Sequence, residues 1–263
     1  MYLCSLASSS SGNCVYIGSD NAHFIIDAGI SGKRIEQGLN SIGFKTSDMD
    51  GILVTHEHTD HIKGIGVLSR KYGLPIYTTK KTAEAILNCK SLGKLPDGLI
   101  HIIESNKDIN IKDLTIHPYQ IPHDAIDPIC YTVCDRNKKI GLATDLGDYN
   151  EYILDKLIDS NILFVEANHD INMLQVGSYP YYLKQRILGQ NGHLSNERSG
   201  QLISKLIHDK LQHIVLGHLS KENNFEELAY ETVQFEINKS NPCKNELDIL
   251  VASRNKNSKL IAV

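Results

Sequence analysis

No stretch of this sequence is apolar for long enough to cross a bilayer. Its longest such runs, "HIVLGH" and "SNILFVEA", fall far short of the roughly 20 residues a membrane-spanning helix needs. The opening "MYLCSLASSSSGN" lacks both a basic start and a long apolar stretch, so it does not read as a secretion signal. Cys-x-x-Cys pairs are missing too. The six cysteines, Cys4, Cys14, Cys89, Cys130, Cys134 and Cys243, are therefore expected to be reduced thiols of a cytoplasmic protein. Cys130 and Cys134 are spaced to share a strand face, but a zinc ribbon needs two further partners. Nor is there an excess of positive charge. The net charge is −4 and the pI about 6.3, which gives no bulk electrostatic support for nucleic-acid binding. The basic pairs Arg70-Lys71, Lys80-Lys81 and Lys138-Lys139 read as solvated helix or turn faces. With no repeat, low-complexity segment or linker, residues 1–263 are expected to form one soluble domain, 41% hydrophobic and large enough for a substantial core.

What is there is an alternation of short strand-like runs with helical patterns. The runs are "YLCSLA", "CVYIG", "HFIIDA", "GILVT", "PIYTT", "LTIHPYQI", "CYTVCD", "KIGLATD", "ILFVEA", "HIVLGH" and "LDILVA". Helices are expected over about 32–42, 61–72, 80–88, 149–158, 180–190, 194–209 and 224–239. The last opens on Asn224 with Glu227 three residues on, close to a capping box. Many strands of the first half follow one another without a helix between, so hairpins are expected. That favours mixed sheets in a sandwich flanked by helices over a doubly wound parallel sheet. Several polar residues stand where strands end: His56, Asp145, His169 and His218. In α/β folds the carboxyl ends of strands are where ligand sites gather.

One stretch, "VTHEHTDH" over Val54–His61, holds three histidines and two carboxylates. Imidazoles and carboxylates crowd at low cost around a divalent cation, which takes His nitrogen and Asp oxygen at about 2.0–2.2 Å. On an extended strand end, His56 and His58 point to the same side and can share one ion. Asp60 and His61 then turn away into the next helix, which suits a second ion about 3.5–4 Å from the first. The competing reading is a solvated turn; one H-x-H pair would fit it, but the whole H-x-H-x-D-H after an apolar strand does not.

"HEHTDH" resembles the signature of the metallo-β-lactamase superfamily. Further segments match along the chain: "FIIDAG" with Asp27, "QIPHDAIDP" with His123, "GLATDLG" with Asp145 and "VLGHLS" with His218. The resemblance implies an αββα four-layer sandwich of two mixed sheets. It implies that His56, His58 and His123 hold one ion and that Asp60, His61 and His218 hold the other, with Asp145 between them. Asp27 would brace the histidine loop without touching metal, and Glu57 should face away from its histidine neighbours. Zn2+ or Mn2+ would be the cations, with iron as a third candidate.

The superfamily runs many reactions, so the fold alone does not choose one. Its iron oxidoreductases lack the second histidine, here His58, and its zinc β-lactamases usually lack the shared aspartate, here Asp145. "SLASSSSGNCVYI" resembles the S-x-S-x-G-N loop of its phosphodiesterases and nucleases, so Ser9, Ser11, Gly12 and Asn13 would offer donors to a phosphate; read alone, the stretch is equally a β-turn. The wider pattern, including "IPHDAIDP", "VEANHDINML" and "GHLSKENN", resembles the bacterial YycJ (WalJ) group, whose members are thought to trim DNA from the 5′ end. A 5′-to-3′ DNA exonuclease is thus expected, with DNA as partner and no membrane. A hydroxide bridging the cations would attack the phosphate, with Asp60 essential to the chemistry. His193, preceding a helix, would protonate the leaving oxygen, and His169 would brace the site or touch phosphate. Glu166 or Asp170 would orient these histidines. His213, five residues before His218, should face the other way; His23, His101, His117 and His208 carry no motif and read as surface or packed residues. The alternatives are a small-molecule hydrolase acting on a cyclic phosphodiester or thioester, and a metal-binding scaffold without activity.

Overall fold

A computed structural model describes residues 1–240 and 247–263; Cys243 lies outside them. Two seven-stranded sheets are seen among the described residues. The first joins β1 (Tyr2–Ala7), β2 (Cys14–Gly18), β3 (His23–Ile26), β4 (Gly51–Leu53), β5 (Ile76–Thr78), β6 (Ile100–Ile102) and β14 (Ile261–Ala262), in the order β14-β1-β2-β3-β4-β5-β6. The second joins β7 (Ile109–Ile111), β8 (Leu114–Gln120), β9 (Ile129–Cys134), β10 (Lys139–Ala143), β11 (Ile162–Glu166), β12 (His213–Gly217) and β13 (Asp248–Val251), in the order β13-β12-β11-β10-β9-β8-β7. Both sheets are mixed, as expected: β14 to β3 pair antiparallel and β3 to β6 parallel, while β7 to β10 pair antiparallel and β10 to β13 parallel.

Strand alternation sorts the first sheet's side chains into two cores. Leu3, Val15, Ile17, Phe24, Ile26 and Leu53 face the second sheet. Their neighbours Cys4, Tyr16, Ile25, Ile52 and Val54 face the outer helices. Those helices are α1 (Gly32–Ser41), α2 (Thr59–Ile62), α3 (Ile65–Tyr72) and α4 (Lys80–Asn88), with Ile35, Leu39, Ile65, Leu68 and Ile86 packed inward. The second sheet is covered by α5 (Glu151–Leu157), α8 (Asn196–Leu206) and α9 (Glu226–Ser240) through Leu157, Leu202, Ile203 and Val233. The result is a four-layer αββα sandwich of two mixed sheets. Two shorter helices, α6 (Ile171–Val176) and α7 (Tyr181–Leu188), fill the connection between β11 and α8.

The single helix expected over 61–72 is broken in two at Gly64, which donates its N–H to Ala28 O at 2.6 Å and where a Cβ would meet Ile30 O at 2.5 Å. Only glycine allows the chain to close there on the loop after β3. The expected cap at Asn224 is also corrected. Its side chain instead holds Asn196 and the carbonyl of Ala167 at 2.8 Å each, and α9 begins two residues later. Among the described cysteines all are free, and none of the described helices is long and apolar enough to cross a membrane.

Candidate active site

The pairing directions place the carboxyl ends of β1, β3 and β4 on one edge of the first sheet, and those of β8, β10, β11 and β12 on one edge of the second. Their loops meet there. Three of the residues just past these strand ends, Asp27, Asp145 and His218, have positive φ (57°, 57° and 55°) without being glycine. Such backbones cost roughly 1–3 kcal/mol each and persist where surrounding structure holds them. The surroundings here are tight. Gly29 N–H donates to Asn13 O at 2.7 Å and Asn13 N–H to Asp60 O at 2.8 Å, and a Cβ on Gly29 would lie 1.6 Å from Asp60 O.

The histidine motif divides as its spacing implies. His56 follows β4 in extended chain, His58 is the residue before α2, and Asp60 and His61 lie in the first turn of that helix. His56, His58 and His123 present ligand atoms within 4.8 Å of one another, and so do Asp60, His61 and His218. Asp145 stands between the two groups. Its oxygens lie 3.4 Å from His61 Nε2, 3.4 Å from His218 Nε2 and 3.8 Å from His123 Nε2. All seven side chains, taken from four separate segments, therefore converge.

Whether divalent cations fit can be judged from what these groups lack and what they carry. His56 Nε2 and Asp145 Oδ2 are buried with no hydrogen-bond partner, which a protein tolerates only where something else satisfies them. His58 Nδ1 and His123 Nε2 face each other at 3.3 Å. Burial pushes His56 well below its ordinary pKa, helped by the adjacent His61, and burial likewise lowers His123 and His218. Such imidazoles are free bases at neutral pH, the form that binds metal. Burial alone would raise Asp145, but His218 and His61 outweigh it and hold the carboxyl well below the usual range. Burial alone would lower His61, yet Asp145, Asp60 and Asp27 together push it well above. Three carboxylates around one ring demand positive charge at this spot. The donor set fits a pair of divalent cations.

Behind the cluster, Asp27 accepts Thr55 N–H and Thr55 Oγ1–H at 2.8 Å each and pairs with His61 Nδ1 at 2.7 Å. Thr55 Oγ1 in turn lies 2.9 Å from His56 Nδ1. One buried carboxylate thus sets the orientation of two rings, leaving their Nε2 atoms for the cluster. Glu57 faces away and accepts the Ile126 N–H at 2.9 Å.

His193 stands at the edge of the cluster, 4.0 Å from Asp145. Its Nδ1 is 3.0 Å from Glu166 Oε2, while Glu166 Oε1 accepts the N–H groups of Leu146 (2.7 Å) and Leu194 (2.9 Å). Burial would lower His193, but Glu166 and Asp145 outweigh it and push it up to about 9. His169 is buried, with Nδ1 3.3 Å from Asn168 Oδ1 and Nε2 without a partner. It lines a separate depression that His193 also borders, and burial lowers it to about 4. The structure does not bring it among the ligand atoms. Asp170 orients neither histidine; it caps α6 by accepting Met173 N–H at 2.7 Å.

Within the serine loop, Asn13 and Ser9 turn inward. Asn13 Nδ2 reaches His61 Nε2 at 3.2 Å and Asp60 Oδ2 at 3.4 Å, and its Oδ1 accepts Ser9 N–H at 3.0 Å. Gly12 packs against Ile30, and exposed Ser11 is held by Arg254. It is Ser10, not singled out from the sequence, that faces a cleft of about 270 Å³ beside the cluster. Asp124, Asn168, Tyr179, Leu183, Arg186 and Ile187 line the same cleft and were also missed. Asp124 immediately follows His123, which was the available signal; it pairs with Arg186 and anchors α7 to the histidine loop.

Comparison with known proteins agrees with this geometry. A family model described as the metallo-beta-lactamase superfamily matches residues 9–218. The chain is 42% identical over 228 residues to exodeoxyribonuclease WalJ of Streptococcus pneumoniae serotype 2 (strain D39 / NCTC 7466), covering 87% of this chain and 85% of that protein. It is 39% identical over 228 residues to exodeoxyribonuclease YycJ of Bacillus anthracis, covering 87% and 86%. The metallo-beta-lactamase fold protein YhfI from Bacillus subtilis superposes with a TM-score of 0.70 at 13% identity, over 98% of each chain, a likeness of fold.

Proposed function

The chain belongs to the metallo-β-lactamase superfamily, and from that premise we propose that it is a metal-dependent nuclease, a DNA exonuclease working in the 5′-to-3′ direction. Its similarity to two exodeoxyribonucleases supports this reading. The observation that carries it is the His193–Glu166 pair 4.0 Å from Asp145: an acid held at the edge of a cation site. His56, His58 and His123 would hold one cation and Asp60, His61 and His218 the other, with Asp145 between the two groups and Zn2+ or Mn2+ the fitting ions. When bound, these cations neutralise charge on the phosphate and acidify a water molecule at neutral pH.

The protein's own groups do the rest. Glu166 occupies Nδ1 of His193, leaving Nε2 for the cleft, and favours the protonated ring. His193 then gives its proton to the departing sugar oxygen, the role of a general acid. Asn13 steadies Asp60 and His61, Ser10 and Ser220 offer hydroxyls to the phosphate, and His169 backs His193 from the far side. A DNA substrate puts the enzyme's place of work in the cytoplasm.

The test is a panel of 5′-labelled DNA and RNA oligonucleotides with Zn2+ or Mn2+. Stepwise release of nucleotides from 5′-phosphorylated DNA is expected, and its loss in Asp60→Asn. Intact DNA in the presence of metal-loaded protein, together with hydrolysis of a thioester, would replace this reading with the small-molecule hydrolase that the size of the cleft also suits.

A further inference from the structure

A cleft of about 270 Å³ lies below the ~300–1,000 Å³ usual for drug-sized ligands. It admits the reacting phosphate and its immediate neighbours. If the substrate is a polymer, as the nuclease reading on which this inference rests requires, the following nucleotides must run over a rim. One rim is unusual. Of the twelve large apolar side chains left exposed among the described residues, four fall between Val176 and Leu188: Val176 (86% exposed), Tyr181 (77%), Tyr182 (74%) and Leu188 (41%). No residue of α7 is buried. Three of these, Tyr181, Tyr182 and Leu188, stand on the eight residues of α7, and a monomer rarely gathers such side chains on one short element without a use.

The placement of α7 ties this surface to the reaction. Leu183, Arg186 and Ile187, with Tyr179 just before the helix, line the cleft that also holds His58, His123 and His193. Tyr182 precedes Arg186 by four residues and so stands one turn further along the same side. The helix carries Lys184 and Arg186 and no acidic residue, in a chain whose net charge is −4. Its far end is fastened to the site, because Ile187 O accepts the His193 N–H at 3.0 Å.

We propose that α7 and the turn before it form a wall on which unpaired bases of a single DNA strand stack, through Tyr179 at the mouth of the cleft and Tyr182 beyond it. An aromatic ring offers every base a π-face, so the wall grips a strand without reading its sequence. Lys184 supplies positive charge beside the backbone, while Arg186 is already paired with Asp124 and holds the wall in place. Paired bases cannot stack this way, so the wall serves frayed or single-stranded ends.

Two measurements test this on Mn2+-loaded protein. The first is fluorescence anisotropy with a phosphorothioate dT12, read for wild type, Tyr182→Ala and Tyr182→Phe. The second is the ratio of kcat/KM for dT12 to kcat/KM for bis(p-nitrophenyl) phosphate. Tyr182→Ala should weaken dT12 binding about tenfold and lower the ratio to a similar degree, and Tyr182→Phe should restore both. Unchanged dT12 affinity in Tyr182→Ala overturns the wall while leaving the nuclease reading intact. Wild-type protein that binds no dT12 overturns the wall, and wild-type protein that cleaves the small diester but neither binds dT12 nor releases nucleotides from duplex DNA overturns both. Loss of self-association by sedimentation in Tyr182→Ala, with dT12 affinity kept, assigns the face to a second copy and overturns the proposal.

Discussion

At the scale of single residues, the site is a set of charges and lone pairs that satisfy one another in a fixed order. Asp27 sets Thr55 and His61, Thr55 sets His56, and Glu166 sets His193. The converging residues were legible because H-x-H-x-D-H is too dense for chance and the other segments matched a known pattern. Asp124 and Ser10 were not, because nothing in a lone aspartate or a run of four serines says which side chain faces a cleft. His169, read from its place after a strand as bracing the site or touching phosphate, shares a depression with His193. These positions predict a division of labour. His193→Gln, which keeps the size of the ring's neighbour contacts but not the acid, should cut kcat by about 10²–10⁴-fold. Metal content measured by elemental analysis should stay at the wild-type level. A loss of metal equal to that of a ligand variant would instead make His193 a ligand.

Among elements, every strand of four residues or more was readable as a short apolar run, and so were the three-residue β4 and β5, whereas β6, β7 and β14 were not. The unread strands are too short to show a period of their own; their neighbours in the sheet define them. α6 escaped for the same reason. The outer edge of the second sheet offers a pH test. His213 Nδ1 on β12 lies 2.8 Å from Asp248 Oδ2 on β13, and Lys259 Nζ donates to the same oxygen at 3.1 Å. Burial would raise Asp248, but these two partners outweigh it and hold the carboxyl below its ordinary value. A carboxyl depressed by folding adds stability above its unfolded pKa of about 3.9, and that stability disappears as pH falls through the folded value. Asp248→Asn should therefore lower the midpoint of thermal unfolding at pH 7, with the difference from wild type closing below about pH 4. A constant difference across that range would mean that the ion pair contributes nothing.

For the whole molecule, the two sheets matter because each ends its site-bearing strands on one edge, and the layers bring those edges together. Seven candidate ligands from both halves of the chain then form one charge-dense pocket, and cations that bind it should stabilise the fold by mass action. At 100 times the dissociation constant the gain is about 2.7 kcal/mol per site. Chelation should lower the thermal midpoint and added Mn2+ or Zn2+ should restore it, while Asp145→Asn should blunt the response in calorimetry. A midpoint indifferent to metal would remove the dinuclear site. By itself the sequence determined which seven side chains gather past the strand ends, since residue type, spacing and short apolar runs are local properties of a chain. Tertiary structure alone decided which way the serine loop faces, that Glu166 and not Asp170 orients His193, and that α7 walls the cleft. Those outcomes depend on where separate loops come to lie in space, and a linear pattern holds no distances between them.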